Sequence, residues 1–108
     1  MASEVLNEWN SENFSAATAT GVAVVDFWAP WCGPCRTMGP FFEAAAKALE
    51  GKAAFGKVNV DDAGDIAARF GVRSIPTIVV LKDGKTVGTK VGVVRTDDLV
   101  AWVQGFVG

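Results

Sequence analysis

The chain has 108 residues, half of them hydrophobic and a fifth charged, with four Trp and seven Phe; that is material for the core of one globular domain over 1–108 and excludes a disordered chain. A net charge of −2 provides no basic field for phosphates, so nucleic acid and anionic membrane surfaces are not expected as partners. Two cysteines and no histidine exclude a four-ligand zinc site or an iron–sulfur cluster within one chain and a Cys-His nucleophile, and Arg36 after the second Cys excludes a c-type haem attachment.

The opening residues lack the positive and apolar regions of an export signal, and no apolar run is long enough to span a bilayer, so a cytoplasmic protein is expected. A brief strand near Val5 precedes a short helix over 11–18, opened by the cap-like Asn10 and Ser11. Val22-Ala23-Val24-Val25-Asp26-Phe27-Trp28-Ala29 is a nearly unbroken apolar run and reads as a central strand covered on both faces. From 34 to 50, Met38, Phe41, Phe42, Ala45 and Leu49 recur at helical spacing; Gly51 ends this helix and Pro40 should kink it. A strand over 53–60 and a short helix over 61–70, stopped by Gly71, follow.

Two further strands, 77–81 and 86–94, are joined by Lys82-Asp83-Gly84-Lys85, and Asp-Gly is a strong hairpin signal, so this pair is antiparallel. Thr96 then offers an N-cap with Asp97 and Asp98 in the first turn, and Leu99, Trp102, Val103 and Phe106 form the apolar stripe of a closing helix. The sum is an α/β chain: one mixed sheet with helices on both faces.

The chemistry concentrates in Trp31-Cys32-Gly33-Pro34-Cys35. Cysteines three apart at a helix start lie on one side, within disulfide reach. Pro34 suits the first helical position, which places Cys32 near the N-cap, where unpaired N–H groups and the positive helix end favour a thiolate. Cys32 is then the nucleophile, and Cys35, one turn inward and more buried, resolves the mixed disulfide. A structural disulfide or a merely buried thiol pair is the bland alternative; so short a loop adds little stability, and a reducing cytosol would open it.

Asp26 interrupts an apolar run, where burial should raise its pKa, and a carboxyl near neutrality could exchange a proton with Cys35. It could also be a hydrogen-bonded core group or face outward. Lys57, in the next strand, is either a plain solvated lysine or, if the strands pair in register, a modulator of Asp26.

The segment Val25-Asp26-Phe27-Trp28-Ala29-Pro30-Trp31-Cys32-Gly33-Pro34-Cys35 closely resembles the active-site segment of thioredoxins. So do Pro40, Lys57 with Asp61, Ile75-Pro76-Thr77, Asp83-Gly84 and Gly92, in the same order, from about Val22 to the last helix. The resemblance implies the thioredoxin fold, a central five-stranded mixed sheet flanked by four helices with the last two strands antiparallel. It also implies a cis Ile75-Pro76 bond and a flat apolar client surface of Trp31, Gly33, Pro34, Ile75, Pro76 and Gly92 around Cys32.

By the same resemblance the chain is a monomeric general protein disulfide reductase. It binds no cofactor, and its reversible Cys32–Cys35 disulfide is recycled by a flavin thioredoxin reductase with electrons from NADPH; its other partners are disulfide-containing client proteins. Gly33-Pro34 in place of a histidine between the cysteines favours giving electrons over taking them. Ser74, Val93 and Gly39 depart from common family residues and could tune partner choice. A disulfide oxidase or isomerase, and a redox-gated binding module, are the competing readings. A metal held between two chains by their cysteine pairs has nothing else in the sequence to support it.

Overall fold

Residues 5–107 are described in a computed structural model; residues 1–4, on which the expected lack of an export signal partly rests, and Gly108 lie outside them. Nine elements follow in order: β1 (Leu6–Glu8), α1 (Phe14–Ala17), β2 (Val22–Trp28), α2 (Gly33–Ala48), β3 (Ala54–Asn59), α3 (Gly64–Arg69), β4 (Thr77–Lys82), β5 (Lys85–Val91) and α4 (Thr96–Gln104). The strands form one sheet in the order β1-β3-β2-β4-β5. β1, β3 and β2 run parallel, whereas β4 is antiparallel to both β2 and β5. This is the five-stranded mixed sheet with four helices expected from the sequence.

β2 lies at the centre because its side chains can be buried on both faces. Val25 and Phe27 pack with Phe14 of α1 and Ile66 of α3. Val24 points the other way, into Met38, Phe42 and Leu49 of the α2 segment and Leu99 of α4. Each large side chain fully withdrawn from water here contributes about 1.5–3 kcal/mol, and α2 is held down chiefly by Met38, Phe42, Ala45 and Ala46 at i, i+4, i+7 and i+8. Pro40 lies inside α2, which runs on through it.

Several boundaries differ from the sequence reading, each for a local reason. Residues 11–13 form a turn instead of helix: Asn10 Oδ1 accepts the N–H groups of Glu12 and Asn13, so α1 begins only at Phe14. α3 starts at Gly64 and not at 61, because Asn59 holds the preceding turn through Asp61 N–H to its side chain and Ala63 N–H to its carbonyl. At the other end Gly71, at φ 66°, closes α3 with Gly71 N–H to Ala68 O and Val72 N–H to Ala67 O, the paired bonds of a Schellman stop. β5 ends at Val91 since Gly92 turns the chain at φ 97°. Thr96 is not the cap of α4: Arg95 holds that position without a side-chain bond, and the Thr96 hydroxyl donates to Phe41 O. The hairpin stands as read, with Asp83 and Gly84 both at positive φ between paired Lys82 and Lys85. Among the described residues no helix is long and apolar enough to cross a membrane.

Candidate active site

The C-terminal end of β2 delivers the chain to the cysteines. Ala29 is fully buried, its carbonyl accepts the Cys32 N–H at 3.2 Å, and Cys32 becomes the N-cap of α2 with extended backbone (φ −91°, ψ 113°). Gly33 occupies the first helical position and Pro34 the second, one place later than the sequence suggested; proline costs nothing there because first-turn N–H groups have no partner within the helix. Cys35 N–H donates to Cys32 Sγ at 3.2 Å. The two residues are joined as a disulfide, with Cα atoms 5.2 Å apart. No acidic residue in the first turn opposes the positive helix end.

Both cysteines are buried in this oxidised form, Cys32 at 6% exposure and Cys35 at 2%. Cys32 is the outer of the two, by less than the sequence reading implied. Its sulfur is turned inward against Cys35 and lies 3.8 Å from the Ile75 carbonyl oxygen. Ile75-Pro76 is cis, as the resemblance implied. Its loop is tied to neighbouring segments: Thr77 hydroxyl donates to Ser74 O, and Gly92 N–H donates to Pro76 O at 2.8 Å.

Around the disulfide, Gly33 and Pro34 are exposed, Ile75 and Gly92 half-buried, and Pro76 buried beneath them. Trp31 is 68% exposed yet oriented, because its indole N–H donates to Asp61 Oδ2 at 3.0 Å. Val91 and Val93 are also exposed apolar side chains, so the apolar face extends along the segment after β5. Asp61 and Val91 were not singled out as site residues in the sequence. The hint for Asp61 was its place directly after β3, at the same sheet end as Trp31; Val91 alternates within a strand and carries no comparable signal.

Asp26 sits mid-β2, fully buried, and alternation along the strand puts it on the Val24 face, under α2. Neither carboxylate oxygen has a hydrogen-bond partner among the described residues. Burial pushes its carboxyl from the ordinary 3.8 up to about 7, against the pull of the Lys57 charge. β2 and β3 do pair in register, with Asp26 opposite Lys57. The Lys57 ammonium lies over the Trp28 ring, 4.2 Å from its centroid, beside a cleft lined by Glu8, Asn59 and Asp62. No cluster of three or more His, Cys, Asp or Glu side chains able to hold a metal occurs among the described residues.

The arrangement can open and close one disulfide at a helix N-terminus, beside an apolar face. Comparison with known proteins gives the same picture. The family model described as Thioredoxin matches residues 5–105. A Bacillus subtilis protein named thioredoxin is 47% identical over 81 residues, covering 75% of this chain and 78% of its own. A thioredoxin of Rhodospirillum rubrum is 43% identical over 89 residues, 82% of this chain and 86% of its own. The wheat chloroplastic M-type thioredoxin is 40% identical over 104 residues, 96% of this chain and 59% of its own.

Proposed function

The chain belongs to the thioredoxin family and is a thiol–disulfide oxidoreductase, and from that premise we propose that it is a general reductant of protein disulfides with ordered roles for its two cysteines. The observation that carries the reading is the Cys32 sulfur at the N-cap of α2, accepting the Cys35 N–H. In the reduced protein the same N–H and the helix end favour a Cys32 thiolate.

That thiolate attacks one sulfur of a client disulfide, forms a Cys32–client bond and expels the other client sulfur as a thiolate. Cys35, its proton passed to the Asp26 carboxylate, attacks Cys32 Sγ, closes the Cys32–Cys35 disulfide and releases the second client thiolate. Two electrons pass to the client, and the protein is left in the oxidised form described above. Lys57 acts on this step only through the charge of Asp26.

Clients dock on the face of Trp31, Gly33, Pro34, Ile75 and Gly92, with Pro76 beneath it, where the backbone N–H and carbonyl of Ile75 can pair with an extended segment. A flavin thioredoxin reductase, fed by NADPH, returns the disulfide to the dithiol. We further place the chain in the cytoplasm, whose reducing pool keeps the pair open, as a monomer and a single domain over 1–108. Reduction of insulin disulfides by dithiothreitol, followed by turbidity, is the test. Catalytic amounts of the protein should accelerate it, and Cys32→Ser should abolish the acceleration; full activity in that variant would overturn the proposal.

A further inference from the structure

Met38 lies one turn beyond Cys35 on the same face of α2 and is fully buried. Its sulfur accepts the backbone N–H of Val94 at 3.2 Å, across 56 positions of sequence. A thioether is a weak acceptor, and a partly buried N–H that loses its partner costs free energy. The segment after β5 is therefore held at two points. Gly92 N–H is bonded to Pro76 O at 2.8 Å, and Val94 N–H to the Met38 sulfur. Between them stands the exposed Val93, two residues after the more exposed Val91.

We propose that Met38 is a positioning residue for client binding: its sulfur fixes the 92–94 segment in line with the cis-proline loop, and so sets the apolar face that a protein client meets. This rests on the proposal above that Gly92 and its neighbours contact clients. Packing alone does not account for the residue type, since leucine would fill a similar volume but leave Val94 N–H without its acceptor.

Met38→Leu tests this directly, and biosynthetic norleucine provides a second form. The chain has two methionines, and norleucine replaces only sulfur by methylene at each. Three readouts are taken on each protein: hydrogen exchange of the Val94 amide, KM and kcat for insulin, and the Cys32–Cys35 reduction potential. Exchange at Val94 should quicken about tenfold, and KM for insulin should rise about threefold or more. The value of kcat and the potential should stay put, because the N-terminus of α2 is untouched. Selenomethionine, which keeps a chalcogen acceptor, should restore both the slow exchange and the low KM.

Unchanged Val94 exchange would overturn the proposal, as would faster exchange with an unchanged KM. A shifted potential would equally overturn it, by placing the effect in α2 instead of the client face. Failure of the unmodified protein to reduce insulin would instead refute the reductase reading, so the two failures are distinct.

Discussion

Asp26 and Lys57 face each other in register across β2 and β3, yet the lysine ammonium rests on the Trp28 ring and both Asp26 oxygens go without a hydrogen bond among the described residues. The lysine charge acts on the aspartate through space, and burial outweighs it, pushing the Asp26 carboxyl up to about 7.

The first consequence is a pH-dependent stability. Asp26 holds its proton more tightly folded than unfolded, so between about pH 4 and 7 the native state carries a proton that the unfolded chain has lost. Stability contributed by this group is complete below pH 4, falls as pH rises through the window, and is gone above it. The rise from 3.8 to about 7 corresponds to about 4 kcal/mol. In urea unfolding, Asp26→Asn should gain on the parent by roughly that amount between pH 4 and pH 8. A parent and variant with parallel pH profiles would contradict it.

A second prediction concerns Lys57. Its positive charge lowers the Asp26 pKa, so Lys57→Met should move that pKa further up. Carbon-detected NMR of the labelled carboxyl reads the titration directly. A midpoint that stays fixed or falls would show that Lys57 does not act on Asp26.

Gly56 of β3 lies under the indole of Trp9, so that a Cβ there would overlap three ring atoms. Gly56→Ala therefore has to displace a large core side chain, and should cost about 3 kcal/mol or more. In a double-mutant cycle with Trp9→Ala most of that cost should vanish, because the clash has gone. Additive losses would place the strain elsewhere.

Much of this was legible in sequence because it is local. The positive φ of Asp83 and Gly84 follows from the turn chemistry of that dipeptide, and Pro34 marks the helix start to within one residue, which brings Cys32 close to the N-cap. Asp26 was conspicuous as a charge within an apolar run. What escaped depends on distant partners. The place of Asp61 after β3 puts it at the same sheet end as Trp31, but no local signal says that it will accept the indole N–H from thirty residues away. Thr96 looks like a cap until Phe41 O takes its hydroxyl. Met38 reads as an ordinary core position because its sulfur matters only once Val94 is brought against it.

In the proposed mechanism Cys32 attacks and Cys35 resolves. Intact-mass spectrometry of the reduced Cys32→Ser and Cys35→Ser variants, each mixed at neutral pH with equimolar 5,5′-dithiobis(2-nitrobenzoate), measures it most directly. Cys35→Ser should form a stable adduct on Cys32 at least about ten times faster than Cys32→Ser forms one on the inner thiol, as expected for a helix-capped thiolate against a buried thiol. Equal rates, or a faster adduct on Cys35, would contradict the ordered mechanism.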